Sequence, residues 1–147
     1  MAGIFESKAP WELPVVGFAV QTVEFHGGLL TVVAYGAEGT HLRLMLSGPF
    51  DLRLGDSEHR LDTEDDWRHL VPMLDLRDDA ITRATVTADS ALRIEFASGQ
   101  RIESAPDELS GYQNWEVNGP GFKIVGSPGE PSLWTGEAWE QPSPHAR

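Results

Sequence analysis

Leu92-Arg93-Ile94-Glu95-Phe96-Ala97-Ser98-Gly99-Gln100-Arg101-Ile102-Glu103 is the stretch that decides the fold class. Leu92, Ile94 and Phe96 alternate with Arg93 and Glu95, the two-residue period of a half-buried strand. With Ala97-Ser98-Gly99 as a three-residue loop and Gly99 in the left-handed conformation, Phe96 faces Gln100. Glu95 then faces Arg101, Ile94 faces Ile102 and Arg93 faces Glu103. These last three pairs are matched by charge or by apolar packing, each worth a few tenths to about 1 kcal/mol. A slip of one residue would set Ile94 against Glu103, so the register is specified.

The same period runs outward in both directions. Phe18 and Val20 alternate before the phase shifts to Val23 and Phe25, which predicts a bulge near Thr22. Leu29–Tyr35 is apolar on both faces, as a central strand would be. Leu42, Leu44 and Leu46 alternate with His41, Arg43 and Met45, and Phe50, Leu52 and Leu54 with Asp51 and Arg53. Downstream, a strand is expected within Ala80–Ala88, a turn at Asn118-Gly119 between two short apolar strands, and a last edge strand at Leu133-Trp134. The pattern from Phe18 to Leu42 is echoed about 60 residues later, from Ile81 to Ile102. One helical signal lies between the two. Thr63 is the expected N-cap, Glu64, Asp65 and Asp66 fill the first turn, and Trp67, Leu70, Val71 and Leu74 make one apolar face that Pro72 interrupts. The expected fold is mainly β (α+β): two related antiparallel β-meanders forming a sandwich, roll or partly open barrel, with one short helix between them.

The chain has 147 residues, enough for one domain. Residues 14–135 are read as a single β-rich domain, 1–13 as a flexible lead-in on which Phe5 and Trp11 could dock, and 136–147 as a Pro-rich mobile tail. Asp and Glu number 23 against 11 Lys and Arg, a net charge of −12. That balance argues against nucleic acid and anionic membrane as ligands. The absence of cysteine excludes disulfides, thiol catalysis and Cys-ligated zinc. The first ten residues lack the basic and apolar regions of a secretory signal, and the apolar run Leu29–Tyr35, broken by Thr31, is far shorter than the ~20 residues of a membrane span. A cytoplasmic location is expected.

Candidate chemistry is sparse. Gly55–Asp66 contains six carboxylates in twelve residues: Asp56, Glu58, Asp62, Glu64, Asp65 and Asp66. Hard cations favour such oxygen-rich stretches, but the spacing is not that of an EF-hand loop. The five histidines, at 26, 41, 59, 69 and 145, form no metalloprotease-type pair. There is no nucleophile elbow and no phosphate-binding loop, so no catalytic, cofactor-binding or metal-binding residue is assigned and no cofactor is expected. Tyr112, Trp115, Trp134 and Trp139 crowd the C-terminal third, either as core or as an apolar patch rimmed by acids.

Tyr112-Gln113-Asn114-Trp115-Glu116-Val117-Asn118-Gly119-Pro120-Gly121, then Gly126-Ser127-Pro128-Gly129 and Trp134, together with the Leu92–Gly99 hairpin and Gly48-Pro49-Phe50, resemble a largely uncharacterised bacterial family of small β-rich proteins. Glu130-Pro131 stands where similar proteins carry a further glycine. Proteins of this kind are similar in size and acidity to immunity proteins encoded beside bacterial toxins. The resemblance implies a non-enzymatic protein-binding module, an immunity or inhibitor protein for a basic toxin or nuclease. The resemblance supplies no residues; the acidic stretch does, and Asp56, Glu58, Asp62, Glu64, Asp65 and Asp66 are the expected partner-binding surface. The alternative is a small-molecule-binding β-barrel or roll with hydrolase or isomerase activity, its pocket lined by Tyr35, Phe96 and Trp115. The oligomeric state is open.

Overall fold

A computed structural model of the chain describes residues 5–106 and 114–136. The strands are β1 (Trp11–Glu12), β2 (Ala19–His26), β3 (Leu29–Tyr35), β4 (His41–Leu46), β5 (Pro49–Leu54), β6 (Ser57–Asp62), β7 (Ile81–Val86), β8 (Leu92–Phe96), β9 (Arg101–Ser104), β10 (Trp115–Gly119), β11 (Phe122–Gly126) and β12 (Ser132–Thr135). They form two antiparallel six-stranded sheets that do not close into a barrel. One sheet has the order β1-β7-β8-β9-β5-β6 and the other β12-β11-β10-β4-β3-β2. Phe50, Leu52 and Ile94 of the first and Leu30, Leu44 and Trp115 of the second share a single core between them, each under 2 % exposed.

Each sheet is built on one meander, β2-β3-β4 or β7-β8-β9. The β8–β9 register places Ile94 opposite Ile102, Glu95 opposite Arg101 and Arg93 opposite Glu103, as charge and apolar matching require. Gly99 takes φ +93°, and Phe96 N–H donates to Gln100 O. The meanders share an irregularity in the same place: the register shifts between Val20 and Thr22 in one and between Ile81 and Arg83 in the other. Each meander is then extended by a hairpin that follows the other one in sequence. After β4 the chain leaves its sheet, and β5 pairs with β9; after β9 it crosses back, and β10 pairs with β4.

Trp11 and Glu12 pair with Val86 and Thr85 as β1; the Trp11 indole docks on the domain at 5 % exposed, and Phe5 packs edge-on against it. Two local expectations are corrected, the β10–β11 turn and the helix with its cap. The β10–β11 turn is centred on Pro120-Gly121, where Gly121 has φ +77°. Asn118 and Gly119 instead stay in the ladder opposite Lys123 and Phe122. Proline presets φ for the first central position of such a turn and glycine tolerates the second, which outweighs the Asn-Gly signal two residues earlier.

The helix is also different in kind. Trp67–Leu76 is a 3₁₀ helix with Pro72 inside it. Proline has no N–H to donate and disfavours α geometry in the residue before it, so the tighter winding persists. The buried column therefore repeats every three residues, as Leu70, Met73 and Leu76, while Val71 and Leu74 turn outward. Its N-cap is Asp66, whose carboxylate accepts from Arg68 N–H. Thr63 is 2 % exposed and serves elsewhere, accepting from Gly48 N–H at 2.6 Å and donating to Gly28 O at 3.0 Å. The helix packs against the edge strands β2 and β6.

Candidate functional site

The six carboxylates of the acidic stretch fall into separate places. Asp56 is exposed in the β5–β6 turn. Glu58 belongs to the outer face of its sheet, 3.6 Å from Arg53 and 3.5 Å from Arg101. β6 is extended, and the four steps from Glu58 to Asp62 at about 3.3 Å each separate them by roughly 13 Å. Only Asp62, Glu64, Asp65 and Asp66 gather, at the approach to the helix. Asp62 accepts from Glu64 N–H at 3.0 Å, and Asp66 holds Arg68 through both backbone and side chain. The Arg68 side chain, and secondly its backbone N–H, hold the Asp66 carboxyl down at about 2, and the same bond raises Arg68.

Beside this group is an open hollow of about 640 Å³. The β2–β3 turn at His26, Gly27 and Gly28 forms one wall, Glu64 and Asp65 another, and Trp67 and Leu70 its apolar side. Thr63 ties these segments together, because its hydroxyl bridges the β2–β3 turn and the β4–β5 junction. Trp67 is 59 % exposed, and Val71 and Leu74 follow it on the same helix at about 40 %. Asp75 and Asp78 are exposed at its far end, whereas the Asp79 carboxylate is engaged by Ser98 and by Ala80 N–H. Exposed apolar side chains of the helix therefore lie between two groups of carboxylates.

The other large feature is an open depression of about 1160 Å³ across the outer face of the β1-containing sheet. It follows a single register row. Glu12 on β1, Thr85 on β7, Arg93 on β8, Glu103 on β9, Asp51 on β5 and Arg60 on β6 stand opposite one another in turn. Its charges are largely engaged: Glu12 with Arg83 at 2.8 Å, which raises that arginine, Asp51 with Arg60 at 3.0 Å, and Glu103 with Arg93 at 3.6 Å.

The aromatics named for a small-molecule pocket are dispersed. Trp115 and Phe96 lie in the core, and Tyr35 sits at the end of β3 with its ring 5.9 Å from that of His41. Trp134 is half exposed on β12, with Lys123 Nζ 5.3 Å from its ring. Tyr112, Trp139 and His145 lie outside the described residues. Among the described residues no three or more His, Asp or Glu side chains are placed to hold a metal ion, and no helix is long and apolar enough to cross a membrane.

Sequence reasoning located the carboxylates at the helix start but missed that Trp67, Val71 and Leu74 face solvent. Pro72 was the available signal for Val71 and Leu74, since a 3₁₀ winding moves them off the buried column; Trp67 is in step with that column and is exposed in the first turn of the helix. The model of a family of unknown function, DUF6188, matches residues 11–134. No curated protein and no solved structure matches the chain.

Proposed function

The chain belongs to DUF6188, a family of unknown function, and we propose that it is a non-enzymatic cytoplasmic protein that binds and neutralises a basic protein, a toxin or nuclease, as immunity proteins do. The observation that carries this reading is the hollow beside Trp67. An aromatic ring that a core would normally cover stands open there, next to Glu64 and Asp65, on a chain of net charge −12. A lysine or arginine of the partner would meet the face of the indole and the two carboxylates together, while Val71 and Leu74 supply apolar contact. The long-range charge would speed encounter with a cationic partner.

The test takes the product of the adjacent gene: it should be a basic protein, and binding and protection are measured with it. Co-expression should relieve its toxicity. Glu64→Lys with Asp65→Lys should slow association at low salt at least tenfold, and Trp67→Ala should speed dissociation. An on-rate indifferent to the charge reversal, with no protection, would exclude the proposal.

A further inference from the structure

The outer face of the β1-containing sheet carries a charge pattern with a hidden complement. Beside the row that runs through Arg93, Glu103, Asp51 and Arg60 lies a second row, two residues along each strand, that runs through Glu95, Arg101, Arg53 and Glu58. On each of β8, β9, β5 and β6 the two rows carry opposite signs. Where β9 meets β5, like charges stand directly opposite: Glu103 faces Asp51, and Arg101 faces Arg53. Cross-strand like pairs are unfavourable, and here two of them, of opposite sign, lie side by side in the middle of the face. Within one chain they are relieved by their other neighbours: Asp51 by Arg60 across the β5–β6 pair at 3.0 Å, Arg53 by Glu58 at 3.6 Å, and Glu103 by Arg101 along its own strand at 2.7 Å.

We propose that this face is a self-association surface whose partner is a second copy of the chain, related by a two-fold axis parallel to the rows and lying between them. That axis sets each row over the other row of the second copy and keeps every strand over its own equivalent. The carboxylates of Asp51 and Glu103 then meet the guanidinium groups of Arg53 and Arg101, and the reverse holds on the other side of the axis. Arg93 meets Glu95 and Arg60 meets Glu58 in the same way. An isologous interface requires such self-complementarity. The two rows contain five arginines and five carboxylates, counting Glu12 and Arg83, so this face carries none of the net charge that would make two acidic molecules repel. The depression along the first row leaves room for the second-row side chains of the other copy. Six strands about 4.8 Å apart and roughly 18 Å long present on the order of 450 Å² per copy, below the standard size of a specific interface, so the association is reversible and concentration-dependent. It is independent of the surface beside Trp67.

Sedimentation of the full chain at about 0.3 mM should show a dimer at about 0.01 M salt and a monomer at about 1 M, as the screening length falls from roughly 30 Å to about 3 Å. Arg53→Glu with Arg101→Glu makes the centre of the face wholly acidic, and Asp51→Arg with Glu103→Arg makes it wholly basic. Each double variant alone should be monomeric, with circular dichroism confirming that it is folded, and an equimolar mixture should restore the dimer. A wild type that stays monomeric at low salt overturns the proposal. So does a dimer that survives either double variant, or a mixture of folded variants that fails to associate.

Discussion

The indole of Trp115 occupies the space that a side chain at Gly126 would need. The two residues are opposite partners on β10 and β11, and a Cβ at Gly126 would lie 2.1 Å from Trp115 Cε2. The other end of the hairpin repeats the arrangement, with the Phe122 ring 2.2 Å from where a Cβ at Gly119 would be. A ring laid over a glycine fills a cross-strand site that two ordinary side chains would overfill. Trp115 also joins the two sheets, because its Nε1–H donates to Ser90 O in the β7–β8 loop at 2.7 Å. Gly126→Ala should therefore lower the unfolding free energy by about 3 kcal/mol, the upper end of the range for overpacking. Trp115→Phe should cost about 1–3 kcal/mol by leaving the Ser90 carbonyl without its donor. Urea titrations of the two variants measure both.

Trp67 and Leu70 stand three residues apart on one column of the helix yet differ in burial, which predicts an asymmetry between them. Leu70 is 2 % exposed and Trp67 59 %. Leu70→Ala should destabilise by about 2–5 kcal/mol, while Trp67→Ala, although it removes more atoms, should stay within about 0.5 kcal/mol. Comparable losses would show that Trp67 is covered as Leu70 is.

Thr63 predicts a difference between two conservative replacements. Thr63→Val keeps the shape but leaves Gly48 N–H and Gly28 C=O unpaired, at about 1–3 kcal/mol for each group that water cannot reach. Thr63→Ser keeps both bonds and should remain the more stable of the two. Thermal melts of the pair separate a hydrogen-bonding role from a packing role.

Asp66 predicts the low-pH limb of the stability curve. Its folded pKa of about 2 lies below the ordinary value of 3.8, so the ionised cap stabilises the fold above pH 3.8. That contribution fades as the pH falls toward 2. Asp66→Asn keeps a capping oxygen and loses the ionisation. The Tm difference between wild type and this variant should be largest above about pH 5 and shrink steadily on acidification. A difference independent of pH would show that the charge on Asp66 contributes nothing.

Legibility in the sequence followed the range of the interactions. The β8–β9 register and the bulge between Val20 and Thr22 could be read because each is set within one hairpin, by neighbours a few residues apart. The pairing of β5 with β9 could not. It sets Asp51 against Glu103 and Arg53 against Arg101, which cross-strand matching would reject, and it is imposed by burial of Phe50, Leu52 and Ile102 on the opposite side of the same strands. The exposure of Val71 and Leu74 was hidden for another reason. A period of 3.6 gathers Trp67, Leu70, Val71 and Leu74 on one face, whereas a period of three keeps Leu70, Met73 and Leu76 in the buried column and turns Val71 and Leu74 away. Asn118-Gly119 and Pro120-Gly121 overlap as turn signals, and the fixed φ of proline decided between them.

The exchange of hairpins between the two meanders bears on how the chain reaches its native state. On a ribosome, β4 emerges with β3 on one side and nothing on the other. Its second neighbour, β10, follows only after the whole of the other meander has been made. β5 and β6 likewise wait for β9. Neither sheet can be completed from a contiguous piece of sequence, so folding is governed by contacts between distant residues and should be slow for a domain of this size. The nascent first meander presents an open strand edge and an uncovered apolar face throughout that interval, which makes the half-made chain, and any protein truncated near Leu76, a candidate for chaperone capture or aggregation.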